Sequence, residues 1–121
     1  MIQDYPSQQF HQWDIVKARV RESDRDEHYL VIVSSEDTCA SPNAPYLNVL
    51  FCSSRRPGRE LRAGQVILNG SDGLDHQTVV DCSYFHSIPK AKLKMTDARI
   101  TPKRRALLKS TTIAAFRLIG P

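Results

Sequence analysis

Most of the features that announce a function are missing from this chain. It has 3 cysteines, Cys39, Cys52 and Cys82, an odd number without C-x-x-C spacing. That pattern argues against a disulfide framework and for reduced thiols in a cytosol. No apolar run approaches the roughly 20 residues that a membrane span needs. The first eleven residues contain no basic stretch followed by an apolar core, so no signal peptide is expected and the protein reads as cytoplasmic. There is no glycine-rich phosphate loop and no G-x-S-x-G elbow. The histidines and cysteines lack ligand spacing for zinc, and no metal or cofactor is expected. Neither an internal repeat nor a low-complexity segment is visible.

What is present fits one ordinary globular domain. The chain has 121 residues, 40% hydrophobic and 25% charged, enough for a single core but not for two domains. Its formal net charge of +4 is unevenly spread. Residues 1–50 hold 4 basic and 8 acidic side chains, whereas residues 51–121 hold 13 basic and 5 acidic. The second half therefore builds a basic surface, as a nucleic-acid binder does, or a cationic face that is simply solvated.

In chain order, residues 1–12 are polar, include Pro6, and read as a loosely held arm before a domain over 13–121. Trp13 to Val20 alternates as a first strand, with Trp13 and Ile15 on one side and Val16, Ala18 and Val20 on the other. Arg21 to Glu27 is a charged loop without an apolar anchor. Tyr29 to Ser34 is a continuous apolar run expected to be buried on both faces. Glu36 to Pro45 contains Ser-Pro-Asn-Ala-Pro and reads as a loop. Tyr46 to Ser53 forms a third strand that runs into the basic turn Arg55-Arg56-Pro57-Gly58-Arg59. Gln65 to Leu68 is a short fourth strand closed by Asn69-Gly70 and Asp72-Gly73. The alternation of Lys90, Lys92 and Lys94 predicts three ammonium groups on one face of a last strand. A helix is predicted over 102–119, capped by Thr101, started by Pro102 and ended by Gly120. Its apolar stripe is Leu107, Thr111, Ala114 and Leu118, flanked by Leu108 and Ala115. Lys103, Arg104 and Arg105 sit in its first turn, against the helix dipole. Short strands, a terminal helix and no β-α alternation predict a small antiparallel sheet or barrel capped by the helix.

The most informative stretch is Gln77 to Lys90, rich in β-branched and aromatic residues and read as a fifth strand. Alternation puts Val80, Cys82, Tyr84 and Ile88 on one face and Asp81, Ser83 and Ser87 on the other. A carboxylate and a hydroxyl about 7 Å apart on an otherwise apolar strand mark either a site or a solvated face.

From Trp13 to Leu118 the order of these segments resembles the MazF/PemK/Kid family of toxins. Trp-Asp-Ile-Val (13–16) resembles the family's Gly-Asp-Val/Ile-Val strand, and His-Tyr-Leu-Val-Ile-Val-Ser (28–34) its Arg-Pro-Val-Leu-Val-Ile strand. Val-Leu-Phe-Cys-Ser (49–53) is similar to the strand that ends in Thr-Ser. Residues 66–83 are similar to the segment ending Val-Val-Arg-Cys-Asp. The resemblance implies an SH3-like barrel, mainly β with a C-terminal helix, forming a homodimer. It also implies a toxin of a toxin–antitoxin pair, a metal-independent endoribonuclease acting on single-stranded RNA and held off by a cognate antitoxin. The same fold also hosts gyrase poisons of the CcdB type, but these depend on an exposed C-terminal segment, and 114–121 is apolar enough to pack. Several family positions are replaced. His28 stands where an arginine is usual, and the hydroxyl at the end of the third strand falls at Cys52, with Ser53 one residue on. Asp81-Cys82-Ser83 stands for Arg-Cys-Asp, and His86-Ser87 for a later Arg-Thr.

Metal-free RNA cleavage needs a base for the 2′-OH, an acid for the leaving 5′-oxygen and cations around the phosphorane. Asp81 fits the base and His28 the acid, since imidazole titrates near neutrality. Ser53 and Ser83 can hydrogen-bond the scissile phosphate, while Arg55, Arg56 and Arg59, together with Cys52 and His86, are the candidate RNA-binding residues. In the competing reading the replaced positions leave a catalytically silent RNA- or protein-binding module. His86 ranks below His28, and His11 and His76 rank lowest. Cys52 and Cys82 read as small core thiols; a Cys52 nucleophile with His28 lacks anything to orient the pair.

Overall fold

Residues 9–116 are described by the computed structural model. Six strands form one sheet: β1 (Asp14–Ala18), β2 (His28–Ile32), β3 (Tyr46–Ser54), β4 (Gln65–Leu68), β5 (Thr78–Pro89) and β6 (Lys94–Arg99). Two helices accompany them, α1 (Glu36–Ala40) and α2 (Pro102–Phe116). The strand order is β4-β5-β3-β2-β1-β6, and every pairing is antiparallel. This is the expected mainly-β architecture with a C-terminal helix. No ladder joins β4 to β6 among the described residues, so the barrel is a curled sheet left open. No helix there is long and apolar enough to cross a membrane.

The sheet buries both faces, which explains the unbroken apolar run of β2. On the α2 side, Ile15, Val31, Leu50, Cys52, Val66, Val80 and Leu108 form one cluster, with Trp13 against it. On the other side, Val16, Ala18, Leu30, Ile32, Leu47, Val49 and Ile88 form a second, with Val20 and Phe51 against it. The division of Trp13 and Ile15 from Val16, Ala18 and Val20 is the one that alternation predicts.

Four local expectations are corrected. Glu36–Ala40 is a short helix rather than loop: Ser35 caps it by accepting from the Thr38 N–H at 3.3 Å, Glu36 and Asp37 suit its first turn, and Cys39 is buried beneath it. Of the expected arm, residues 1–8 lie outside the described residues, but Phe10 is buried in the second cluster and Gln12 donates to the Val33 carbonyl at 2.9 Å. The lysines 90, 92 and 94 do not share a strand face, because Lys90–Lys92 is a 3-10 turn before β6. The Lys90 ammonium instead caps α1, donating to the carbonyls of Thr38 and Ser41 at 3.0 and 2.8 Å, and Lys94 pairs with Glu27 at 2.9 Å.

The fourth correction concerns α2. Thr101 does cap it, accepting from Arg104 N–H at 3.2 Å, but the buried stripe is Leu108 and Thr112, while Leu107 is 47% exposed. The rotation is set at the N-terminus. Asp72, fully buried, accepts from the Thr101 N–H at 3.1 Å and lies 3.4 Å from the Arg104 guanidinium. One of the three first-turn cations is thus compensated within the chain. The expected extension to residue 119, Leu118 and the Gly120 cap lie outside the described residues.

Candidate functional site

The site follows from register. β3 pairs Leu30 with Phe51 on one side and Phe51 with Asp81 on the other, and Asp81 pairs on with Gln65. Carrying the β2–β3 register two residues further puts His28 level with Ser53. Period-two alternation then places His28, Phe51, Ser53 and Asp81 on one face, together with His86, which pairs with Val49. The sheet thus brings together four of the residues singled out from the sequence, although they are 58 positions apart at the extremes.

No side-chain hydrogen bond joins these four. The Phe51 ring stands between the histidines, 4.7 Å from His28 and 5.6 Å from His86 by ring centroids, and Tyr84 follows at 5.2 Å from His86. His28 Nε2 lies 3.5 Å from an oxygen of Asp24. Asp24 was missed in the sequence, where its loop offered no apolar anchor. It is the loop's polar anchor: its carboxylate accepts from the N–H groups of Val20 and Arg21 at 3.1 and 2.9 Å. The Arg21 N–H, with the Val20 N–H and nearby His28, holds Asp24 below the usual carboxylate range. Its only sequence signal is the spacing of four to His28.

Asp81 and Ser83 do not stay on one face. Leu50 pairs with Phe85 while Phe51 pairs with Asp81, so Cys82, Ser83 and Tyr84 form a bulge opposite no β3 residue. The Ser83 N–H donates to Asp81 Oδ1 at 2.9 Å, but its hydroxyl points to Gly64, 2.7 Å from where a Cβ would stand. Ser83 thereby lines a cleft under α2 with Ala63, Gly64, Ser110 and Ala115. Gly64 has φ +86, so both its conformation and the serine exclude a side chain there.

Cys52 is removed from the RNA-binding set. It is 2% exposed in the α2-side core, and burial pushes its thiol far above the usual range. It also points away from His28, which ends the Cys52–His28 nucleophile idea. Cys82 is likewise buried, its thiol raised first by desolvation. Arg55, Arg56 and Arg59 are exposed in the turn after β3. Arg55 is tied to the start of β5, its backbone N–H to the Gln77 carbonyl and its guanidinium to the Gln77 side chain, both at 3.1 Å.

A second constellation went unnoticed in the sequence. The Ser54 hydroxyl lies 3.3 Å from His76 Nε2, and His76 Nδ1 lies 2.6 Å from Asp75 Oδ1. Ser54 and His76 are 22 residues apart. Only the pairing of Ser54 with Thr78 makes them neighbours, so linear spacing held no hint.

At the level of sequence no family model and no curated protein matches the chain. The fold does match solved structures. A mycobacterial endoribonuclease in complex with its cognate antitoxin superposes at TM-score 0.72 and 14% identity, over 93% of this chain and 99% of that one. The Mycobacterium tuberculosis toxin MazF-mt6 gives 0.69 and 20%, over 87% and 97%. A chain of the MazE–MazF complex of Deinococcus radiodurans gives 0.67 and 11%, over 90% and 97%. With this strand order, open curled sheet and C-terminal helix, the chain has the fold of the MazF toxins.

Proposed function

We propose that this protein is the toxin of a toxin–antitoxin pair and a metal-independent endoribonuclease acting on single-stranded RNA. The observation that supports it best is the MazF fold along nearly the whole chain, with His28, Ser53 and Asp81 on one open face beside a basic turn. RNA and an antitoxin are its proposed partners; a small acidic reading frame immediately upstream of the gene is the expected source of the latter. The functional unit is a homodimer, and exposed Tyr84, beside His86, and Phe85, stacked on Phe116 of α2 at 4.5 Å, offer apolar surface for it.

In this reading Asp81 accepts the 2′-OH proton and His28, positioned by Asp24, protonates the leaving 5′-oxygen. Ser53 hydrogen-bonds the scissile phosphate, and Arg55 and Arg56 supply positive charge. His28 and Asp81 stand on the two strands that flank β3, on either side of the Phe51 row, so an RNA strand crossing β3 on this face passes both. The test is incubation of the purified protein, at a dimer's mass by light scattering, with single-stranded RNA in chelator. Ends bearing 2′,3′-cyclic phosphate are expected, with a loss of about 100-fold or more in His28→Ala and in Asp81→Ala. Full activity in both variants would falsify these roles.

A second reading rests on the replaced positions: a binding module that holds RNA without cutting it. Salt-sensitive RNA binding with no cleavage product selects it. A gyrase-directed toxin ranks last; its argument concerns 114–121, of which 117–121 lie outside the described residues, and inhibition of supercoiling would revive it.

A further inference from the structure

We propose that Ser54, His76 and Asp75 form a second, nucleophilic site, at which Ser54 accepts acyl groups from small, solvent-borne activated esters. The inference is independent of the RNA reading, since it concerns the opposite side of the end of β3.

Ser54, His76 and Asp75 stand in the order nucleophile, base and carboxylate. In the neutral ring, the close contact of His76 Nδ1 with Asp75 Oδ1, at 2.6 Å, puts the proton on Nδ1. The Nε2 lone pair is then free to accept, and the group facing it is the Ser54 hydroxyl at 3.3 Å. A nucleophile within reach of a base, and a base oriented by a carboxylate, is the recurring arrangement of serine catalysis on unrelated folds. A contact of 3.3 Å is loose, as such bonds commonly are before substrate binds. Asp75 lies below the usual carboxylate range, first because of its hydrogen bond with His76, as expected if the imidazole donates to it.

The surroundings fit small acyl donors. His76 is 43% exposed and Asp75 81%, so the site is open to solvent and sets no size limit through a pocket. The exposed Arg55 follows Ser54 directly, and its guanidinium donates to Gln77 next to His76. It has further N–H groups to place against an acyl oxyanion. His11 is the internal contrast: its Nδ1 lies 2.9 Å from Glu36, but no hydroxyl among the described residues faces its other nitrogen.

Ser54 Oγ attacks the acyl carbon while its proton passes to His76 Nε2. The C–O bond to the leaving alcohol breaks, and that alcohol takes the proton from the imidazolium. Water then hydrolyses the Ser54 ester to serine and a carboxylic acid, with His76 again serving as base.

The experiment uses the full chain with p-nitrophenyl acetate, following phenolate release and locating the adduct by peptide mass spectrometry. Acetyl on Ser54 is expected, with release slowed about 100-fold in Ser54→Ala and His76→Ala and unchanged in His11→Ala. Added imidazole should restore part of the His76→Ala rate, which a merely structural role for the histidine would not allow. Asp75 is a positioning residue. In Asp75→Asn, imidazole 1H–15N spectra should show His76 leaving the Nδ1–H tautomer as the acylation rate falls. Acetyl found on His76 or on lysines in place of Ser54, or equal rates in wild type and His76→Ala, would overturn the proposal. Neither result bears on RNA cleavage.

Discussion

At the scale of single residues the molecule uses carboxylates to place imidazoles. Asp24 stands by His28, Glu36 by His11 and Asp75 by His76. Only Asp24 also holds its own loop, through the N–H groups of Val20 and Arg21. Because folding depresses the Asp24 value, its contribution is complete above the ordinary carboxylate pKa of about 4 and is lost as pH falls through the lower folded-state value. The protection of the Val20 and Arg21 amides, relative to their intrinsic exchange rates at each pH, should therefore fall in acid, and Asp24→Ala should show fast exchange there at neutral pH. Exchange that stays slow in the variant would mean that the loop is held by something else.

At the scale of elements, α2 is fixed less by its apolar stripe than by one buried carboxylate. Asp72 caps its own 3-10 turn at Asn69, accepts from Thr101 and faces Arg104. Removing a buried partner leaves these donors and the guanidinium uncompensated, a loss of about 3 kcal/mol. Asp72→Ala should lower the urea midpoint accordingly, and Arg104→Ala should cost less, since Asp72 then keeps the Asn69 and Thr101 N–H groups. An Asp72→Ala midpoint equal to that of the wild type would show that Leu108 alone seats the helix.

At the scale of the whole molecule, the acidic first half and the basic second half fold into one sheet, and the basic turn after β3 is presented in the open beside the His28–Asp81 face. RNA affinity should fall as salt rises, with a log–log slope of about −0.7 per phosphate neutralised on a single strand. In the double variant Arg55→Ala/Arg56→Ala that slope should shrink by about 1.4, read by titration of labelled RNA at several salt concentrations. A slope left unchanged would place the RNA elsewhere.

The sequence by itself determined strands β1 to β5 and the two buried faces of the sheet, while β6 begins later than the lysine alternation suggested. Alternation in Trp13–Val20 and the unbroken run of β2 are local patterns, and a period of two or an absence of polar residues needs no partner to be read. It also determined the Thr101 cap and the short strand Gln65–Leu68. Only the tertiary structure decided what crosses between strands. The bulge at Cys82–Tyr84 sends Ser83 away from Asp81, because three residues of β5 face none of β3. The rotation of α2 was decided by Asp72, far from it in sequence, and the burial of Cys52 by its place opposite Val80. Ser54 and His76 meet for the same reason: register is a property of two chain segments together, and neither segment contains it alone.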